Sequence, residues 1–334
     1  MRPHRFASLI IAALACARPG AAPSAPDRPT PTPESAHIDL EVSGEGFPVY
    51  RIPALAGSRT GILLAAYDGR PSGADVPSDI ALLLRRSLDG GATWLSRQVI
   101  RRGPAANGYG DPSFVVDRET GRIFLFHAAS IDQGFTGSGT GNDDDDPAIL
   151  QQYVVRFAGT TWAASAFSDD HGRSWRMGDL AGPGVDENKV VELADGRLML
   201  NSRATPHRLV ADSSDGGATW SALLPDSQLV DPGNNGSIIR YAPDAGPDDR
   251  RSRWLLFSNT APSDVRRSLT VRHSCDGGRS WAVTRVIGAG NAAYSTLAVL
   301  PSGRRRPAPI QGLREPIRRH RRSLHMCHTG SCRC

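Results

Sequence analysis

One eight-residue pattern occurs four times in this chain and limits the folds that the chain can adopt. The pattern is Ser-x-Asp-x-Gly-x-Thr/Ser-Trp, and its copies lie at residues 87–94, 168–175, 213–220 and 274–281. Within each copy, the Asp side chain can cap a turn, Gly supplies a positive φ, and hydroxyl groups can satisfy loose backbone groups. The closing Trp buries a large ring and anchors the hairpin. A hairpin that recurs at intervals of about 45 to 80 residues predicts one supersecondary unit repeated around an array.

The segments between these repeats are typical of short strands. Apolar and β-branched runs bounded by Gly, Asp, Asn and Pro lie at residues 49–55, 80–84, 122–127, 197–201, 254–258 and 268–273. No stretch has the apolar spacing of an amphipathic helix of three turns, and the 35 Gly and 25 Pro residues favour turns. The chain is therefore predicted to be all-β, and a β-propeller of four-stranded blades fits best.

The two ends of the chain differ in composition from its body. Residues 1–17 combine a basic start with a short apolar stretch, which predicts a signal peptide and a secreted or extracellular protein. Cys16 follows a small-residue cleavage site and leaves lipid anchoring open as an alternative. Residues 18–37 predict a Pro/Ala-rich linker, and residues 38–303 the propeller. Residues 304–334 predict a disordered Arg/Cys-rich tail because they lack strand periodicity.

Net charge gives little support to a nucleic-acid partner. The chain carries a formal charge of +5 and a sequence pI near 9.2. Nine arginines and one glutamate lie after residue 303, so the tail supplies the basic balance and the body is mildly acidic. No apolar run after the N-terminus is long enough to predict a transmembrane segment. Cys275 is alone in the body, which predicts no internal disulfide framework. No nucleotide fingerprint or standard metal-ligand spacing is present, so neither a cofactor nor a metal site is predicted.

A second motif, upstream of the first repeat, specifies the resemblance. Tyr50-Arg51-Ile52-Pro53 together with the four repeats resembles the bacterial exo-α-sialidases (neuraminidases), whose repeats are called Asp boxes. The resemblance spans about residues 40 to 301. It implies a six-bladed propeller and a retaining glycoside hydrolase. The implied substrates are terminal sialic acids on glycoproteins, glycolipids and oligosaccharides, and a monomer is expected.

A sialic acid carries a carboxylate on its anomeric carbon, which calls for fixed cations. The planar fork of arginine binds a carboxylate through paired, charge-assisted hydrogen bonds. The resemblance implies three such arginines. Arg51 matches the first, and Arg203 in Leu-Asn-Ser-Arg matches the second. The third precedes the last Asp box, where Arg266 is favoured and Arg267 and Arg272 are alternatives.

The same carboxylate limits the choice of nucleophile. A carboxylate nucleophile would meet like-charge repulsion, whereas a neutral phenol avoids it if a neighbouring base takes its proton. Sialidases are a known tyrosine exception among retaining glycosidases. The resemblance implies Tyr294 as nucleophile and Glu187 as its partner, with the adjacent Asp186 as the alternative to Glu187.

The general acid/base is expected on a loop above the site. Asp75 lies in a Gly/Pro-rich segment and matches the family's aspartate, with Asp68 and Asp79 as alternatives. Arg70 and Asp111 resemble residues that contact ring hydroxyls in this family. All eight candidates are therefore predicted to converge on one site.

Two departures from the family pattern bear on the fold and on activity. Asp89 and Asp170 are 81 residues apart, and an Asp box usual between them is missing, which predicts the loss of most of one blade. The tail after residue 303 replaces the strands expected to complete the propeller. These departures keep two other functions open, namely a catalytically inactive sialic-acid-binding propeller and a trans-sialidase.

Overall fold

A computed structural model describes residues 37–104, 107–131, 134, 154–157 and 160–300, together with two strands nearer the C-terminus. The predicted signal peptide, nearly all of the predicted linker and Cys16 lie outside the described residues. The described part is all-β, as predicted, with one short 3-10 helix at Arg250–Arg253. Across the described residues, no helix has both the length and the apolar character needed to span a bilayer.

Three of the six antiparallel sheets have four consecutive strands each. The first contains β2 (Val49–Gly57), β3 (Leu63–Arg70), β4 (Ala81–Ser87) and β5 (Gln98–Arg101). The fourth contains β11 (Asn188–Glu192), β12 (Leu198–Ser202), β13 (His207–Ser213) and β14 (Leu224–Val230). The fifth contains β15 (Ser237–Arg240), β16 (Leu255–Thr260), β17 (Arg267–Ser274) and β18 (Val283–Asn291). In each of these sheets the Asp box joins the third strand to the fourth.

The second and third sheets are shorter within the described residues. The second has only β6 (Asn107–Val116) and β7 (Ile123–Ile131). The third has β8 (Val154–Phe157), β9 (Thr160–Phe167) and β10 (Arg176–Ala181). Its Asp box joins β9 to β10, so these correspond to the third and fourth strands of a blade and the first strand has no described counterpart. The shortage falls between Asp89 and Asp170, where the sequence predicts a missing blade segment.

The sixth sheet corrects the prediction made for the C-terminal tail. Its strand order is β1-β21-β20-β19, with β1 (His37–Glu41), β19 (Ser295–Val299), β20 (Ile310–Arg314) and β21 (Leu324–Thr329). The prediction of disorder from residue 304 is wrong for these two tail segments. Strands β19 and β1 present unpaired backbone groups at their edges, and antiparallel pairing with β20 and β21 satisfies them. Backbone pairing needs little side-chain periodicity, which explains why the sequence pattern missed it.

Cys275 is the one cysteine of residues 38–303 and takes part in a disulfide bond. Its partner lies outside the residues whose side chains the structure describes. It directly follows β17, and its Sγ lies 3.9 Å from Nε2 of the buried His273. Because residues 38–303 contain no other cysteine, this bond forms no disulfide framework within the body, in line with the sequence, but it does tie the body to another segment of the chain.

The Asp boxes form the turns that their sequence predicts. In the first, Asp89 accepts hydrogen bonds from Ser87 Oγ (2.8 Å), Thr93 N (2.9 Å) and Thr93 Oγ1 (2.5 Å). Ser87 Oγ in turn accepts a hydrogen bond from Gly91 N at 2.7 Å, and Gly91 has a φ of +92°. The same set of bonds recurs in the other three boxes. Each box is thus a rigid local unit.

The Trp of each Asp box joins its sheet to the preceding one. Trp281 Nε1 donates to Asp226 Oδ2 of β14 at 3.1 Å, and Trp220 Nε1 donates to Ser165 Oγ of β9 at 3.3 Å. Trp94 packs against a core cluster that includes Leu300, just after β19. The first sheet therefore contacts the last. The innermost strands follow one another in the order β11-β15-β19-β2-β6. This is the arrangement of a six-bladed propeller whose described inner ring is open at the third sheet.

Candidate functional site

The predicted site residues lie at one edge of the propeller because each stands near the same end of its sheet. First strands begin at this edge and second strands end there. Four of them belong to inner strands. Arg51 lies near the start of β2, Asp111 lies at the bulge in the middle of β6, and Glu187 and Tyr294 directly precede β11 and β19. Those at the end of a second strand or around a third are Arg70 of β3, Asp75 after β3, Arg203 after β12 and Arg266 before β17.

Tyr294, Glu187 and Arg203 form the centre of this edge. The Tyr294 hydroxyl donates a hydrogen bond to Glu187 Oε1. Arg203 Nη1 lies 2.8 Å from the same carboxylate oxygen and donates to Tyr294 Oη at 3.2 Å. Burial, and then the Glu187 charge, raise the pKa of Tyr294, while burial raises the pKa of Glu187. The phenol of Tyr294 is therefore neutral near pH 7, and the Glu187 carboxylate accepts a hydrogen bond from its hydroxyl.

Asp186, the alternative to Glu187, has a different partner. Arg203 Nε donates to Asp186 Oδ1 at 2.7 Å, and Arg203 Nη2 donates to Asp186 Oδ2. Burial opposes ionisation of Asp186, but these hydrogen bonds from Arg203 bring its pKa below the usual range. Asp186 thus fixes the guanidinium of Arg203, and Glu187 is the carboxylate that faces Tyr294.

Asp75 lies across two arginines of the first sheet. Its Oδ1 accepts hydrogen bonds from Arg51 Nη1 at 3.2 Å and from Arg70 Nη1. Both arginines also bind backbone carbonyls of the same loop, at Gly73 (3.3 Å) and Ala74 (2.9 Å). The Asp75 side chain is 71% exposed, so it remains accessible to a bound molecule.

The alternatives to Asp75 are engaged elsewhere. Asp68 is fully buried and accepts hydrogen bonds from Arg70 Nε (2.9 Å), Arg70 Nη2 (2.6 Å) and Asp111 N (3.0 Å). Burial raises the pKa of Asp68 to about 7, against the opposing charge of Arg70. Asp79 pairs with Arg102 at 2.8 Å. Asp68 therefore positions Arg70 and Asp111 through buried hydrogen bonds. Of the three aspartates, Asp75 combines an exposed side chain with contact to Arg51.

Arg266 is the member of its arginine group that lies beside Tyr294. Its Cζ is 5.6 Å from the centroid of the Tyr294 ring, and its Nη2 donates to Gly233 O at 2.5 Å. Arg267 is exposed on β17. Arg272 is buried and donates to Asn259 Oδ1 at 2.6 Å. The geometry therefore favours Arg266 over both alternatives.

Backbone bulges accompany three of the candidates. The strand registers shift between Arg51 and Ala54, between Gly110 and Ser113, and between Arg267 and Leu269. Each shift contains a non-glycine residue with positive φ, namely Ile52 (+52°), Asp111 (+52°) and Ser268 (+56°). Such conformations are uncommon, and bulges re-aim side chains next to functional sites. This edge of the molecule is therefore locally strained where the candidates lie.

A buried polar cluster between the fourth and fifth sheets could not be predicted from the sequence. Arg208 and Asp231 are both fully buried and form an ion pair at 3.0 Å. Arg208 Nε also donates to Asn201 Oδ1 at 2.7 Å, and Asn259 Nδ2 donates to Asp231 Oδ2 at 3.1 Å. The only sequence signal was the turn-like run of residues 231–236, because the members of the cluster come from separate sheets.

Comparisons with known proteins bear on the sequence similarity and on the fold. Residues 145–305 match the family model of a BNR repeat-like domain. A sialidase from Micromonospora viridifaciens is 42% identical over 368 residues, which cover 90% of this chain and 57% of that protein. The chain is thus similar to a sialidase over most of its own length. A sialidase from Bacteroides fragilis is 28% identical over 321 residues and is likewise matched over 75% of this chain and 58% of its own length.

The chain spans a little over half the length of those two relatives. The 368-residue alignment is longer than the chain itself, so the Micromonospora protein has residues with no counterpart here. Among solved structures, the Hadza microbial sialidase Hz136 superposes with a TM-score of 0.72 at 25% identity, covering 88% of this chain and 68% of that one. The sialidase-like propeller fold predicted from the sequence is therefore confirmed.

Proposed function

We propose that this chain is a retaining exo-α-sialidase, a glycoside hydrolase that removes terminal sialic acids. Its substrates would be sialylated glycoproteins, oligosaccharides and glycolipids, gangliosides among them. The observation that carries this proposal is the hydrogen bond from the Tyr294 hydroxyl to Glu187, with Arg203 in contact with both groups. A neutral phenol beside a carboxylate base suits attack on an anomeric carbon that already carries a negative group.

Substrate binding would begin at the arginines. Arg51, Arg203 and Arg266 would hold the sialic-acid carboxylate through charge-assisted hydrogen bonds. In the structure, Asp75 accepts a hydrogen bond from the Arg51 guanidinium. The incoming substrate carboxylate would therefore displace Asp75 from that group. Arg70 and Asp111, both held by Asp68, would contact hydroxyl groups of the sugar ring.

The displaced Asp75 would then act as the general acid. A substrate carboxylate close by disfavours a second negative charge, which raises the pKa of an aspartate and favours its protonated form. Asp75 would protonate the leaving oxygen while Tyr294 forms a bond to the anomeric carbon and Glu187 takes the phenolic proton. Asp75 would next take a proton from water as it attacks the anomeric carbon and breaks the tyrosyl bond. Glu187 would return its proton to the Tyr294 oxygen, and sialic acid would leave with retained configuration. The steps engage protein side chains and water alone.

Several finer properties belong to the same proposal. The predicted signal peptide supports secretion, with lipid anchoring at Cys16 as the alternative, and we expect a monomer. A catalytically inactive sialic-acid-binding propeller and a trans-sialidase remain the competing functions. The three functions can be distinguished by their products: hydrolysis releases free sialic acid, a trans-sialidase transfers it to another sugar, and an inactive binder releases none.

The test is turnover of a fluorogenic α-sialoside by the full chain. Tyr294→Phe is expected to lower kcat on the order of 10⁴-fold, as loss of a central catalytic group does elsewhere. Tyr241→Phe is the matched control, because Tyr241 packs against Trp254 in the core, away from the candidate residues. Folded wild-type protein that binds sialyllactose without turnover would favour the inactive binder. Transfer of sialic acid to added lactose would instead indicate a trans-sialidase.

A further inference from the structure

The loop of residues 231–234, between the fourth and fifth sheets, is anchored by buried groups. Asp231 Oδ1 accepts a hydrogen bond from Asn234 N at 2.6 Å, and its Oδ2 accepts one from Arg208 Nη1 at 3.0 Å. Arg208 Nη1 also donates to Asn234 O at 2.7 Å. Both backbone polar groups of Asn234 are thus fixed by a fully buried ion pair. The position of its side chain is set by this anchorage.

The Asn234 side chain reaches the segment that carries Tyr294. Its Nδ2 donates to Ala293 O at 2.7 Å and to Thr260 Oγ1 at 2.8 Å. The Ala293 carbonyl belongs to the peptide group whose nitrogen is that of Tyr294. Because a peptide group is planar, holding this oxygen fixes the plane from which the Tyr294 side chain departs.

The neighbouring residue of the loop holds Arg266. Gly233 O accepts a hydrogen bond from Arg266 Nη2 at 2.5 Å, and Arg266 O accepts one from Ala292 N at 3.2 Å. The Arg266 guanidinium also lies against the Tyr294 ring. One short loop therefore contacts both the proposed nucleophile segment and a proposed carboxylate-binding arginine.

We propose that Asn234 is a positioning residue that sets the orientation of Tyr294 through the Ala293 carbonyl, while Gly233 of the same loop sets Arg266. This inference rests on the proposed function, since Tyr294 is the proposed nucleophile. Asn234 touches neither the hydroxyl of Tyr294 nor the Glu187 carboxylate, so it acts through the backbone. Small errors in the placement of reacting groups can cost about 100-fold in rate.

The test uses Asn234→Asp in the full chain. This change keeps the side-chain shape and the backbone bonds to Asp231 and Arg208, but it replaces both N–H donors with an acceptor. We expect kcat for the fluorogenic α-sialoside to fall about 100-fold. We expect KM to change little, because the Gly233 carbonyl still holds Arg266. Asn234→Ala removes the same donors without adding charge. If the aspartate variant does not fold, kcat and KM are measured on the alanine variant instead, with the same expected result. Thr260→Val is the matched control, because it deletes the other acceptor of Asn234 and leaves the Ala293 contact.

A second readout does not depend on turnover. The chain contains 6 tyrosines, so incorporation of 3-fluorotyrosine gives few ¹⁹F resonances. The resonance that disappears in Tyr294→Phe is assigned to Tyr294. We expect Asn234→Asp to shift the Tyr294 resonance while the others stay in place. If it does so in a protein without sialoside turnover, the proposed function fails and the positioning role stands. An unmoved Tyr294 resonance with unchanged kcat, or a shift spread over all tyrosines, would overturn the positioning role.

Discussion

Sheets four to six meet through a buried polar network, whereas sheets two and three meet through an aromatic cluster at the surface. In the first region, Arg208 and Asp231 are fully buried and bind groups from the fourth and fifth sheets, while Asn234 reaches Ala293 before the sixth. In the second region, Trp175 is 36% exposed, and its ring stands edge-on to Phe124 and Phe126 at 5.5 and 5.0 Å. Directional hydrogen bonds and a buried ion pair therefore connect the sheets near Tyr294, whereas apolar ring contacts, which are less directional, connect the second and third sheets.

The candidate site residues are also unevenly distributed between these two regions. Seven of its eight residues come from the first, fourth, fifth and sixth sheets, and Asp111 alone comes from the second. Asp111 lies on β6, an inner strand that packs against β2 of the first sheet. The proposed chemistry thus draws on the inner strands with their bulges and on the adjacent ends of second and third strands. The outermost strands supply no candidate residue within the described part of the chain, and neither does the third sheet, whose first strand has no described counterpart.

Among the changes that test this comparison, the largest effect is expected at the carboxylate that faces Tyr294. Glu187→Gln keeps the size of the side chain but removes the base that faces the Tyr294 hydroxyl. We expect kcat to fall about 10³-fold, within the range seen for loss of a general base. Steady-state assays with the α-sialoside measure this. A variant with more than a tenth of the wild-type kcat would argue against Glu187 as the proton acceptor.

The buried ion pair is expected to dominate the stability of that region. Arg208→Met leaves the Asp231 carboxylate buried without its charged partner, which costs about 3 to 5 kcal/mol of unfolding free energy. The control is Arg102→Met, which breaks a partly exposed pair with Asp79 at 2.8 Å and should cost under about 1 kcal/mol. Urea unfolding at pH 7 gives both values. Equal losses would contradict the distinction drawn between buried and exposed pairs.

The two regions are also expected to differ in what their Asp-box tryptophans contribute. Trp281 is 6% exposed and donates a hydrogen bond to Asp226, so Trp281→Ala should cost about 4 kcal/mol. Trp175→Ala should cost about half of that, because its ring is already 36% exposed. The comparison uses unfolding free energies of the two variants. If Trp175→Ala were the more damaging change, the shortened sheets would depend on this residue more than the packing indicates.

Acid sensitivity should be the same in both regions because the Asp-box turn is local. Hydrogen bonds from Thr93 hold the pKa of Asp89 at about 2, and hydrogen bonds from a Ser or Thr likewise lower those of Asp170 and Asp215. A carboxyl whose folded-state pKa lies below its unfolded value stabilises the fold above that unfolded value, near 3.8. The contribution is lost as the pH falls toward the folded pKa. Melting temperatures from pH 5 to pH 2 should therefore fall less steeply, and to similar degrees, in Asp170→Asn and Asp215→Asn.

The smallest effect is expected where the Asp box of the third sheet departs from the others. His171 has a φ of +60° at a position where the other boxes have Gly, and its Nδ1 lies 3.0 Å from Asp117 Oδ2 on the neighbouring sheet. His171→Gly removes a steric cost of about 1 kcal/mol and a hydrogen bond of about the same size. The unfolding free energy should change by less than about 1 kcal/mol. A loss above about 2 kcal/mol would show that this contact holds the two shortened sheets together.

The sequence anticipated those parts of the fold that short-range patterns encode. The six predicted strand segments correspond to β2, β4, β7, β12, β16 and β17 within a few residues. The tail strands β20 and β21 were missed because the edges they pair with lie far away in the chain. The Asp boxes were readable because every bond in the turn joins residues at most four positions apart.

The same division holds for the site. Motif residues such as Arg51 and Tyr294 could be singled out, and the structure brings them to one edge, while their catalytic roles stay predictions. Asn234 could not be found, because its bond to Ala293 spans 59 positions and its anchor on Arg208 spans 26. The choice between Glu187 and Asp186 also required coordinates, since adjacent residues give no indication of which partner each one faces.

The bulge at Ile52 has a consequence for the thermodynamics of recognition. A β-branched residue with positive φ carries a steric cost that is met once, when the chain folds and the flanking pairs of β2 and β3 form. The backbone next to Arg51 has therefore lost much of its freedom before any ligand arrives. Association then sacrifices less conformational entropy at this arginine than it would on a mobile loop. Under the proposed function, part of the affinity of Arg51 for a carboxylate would therefore come from backbone torsion angles fixed on folding rather than from side-chain contacts.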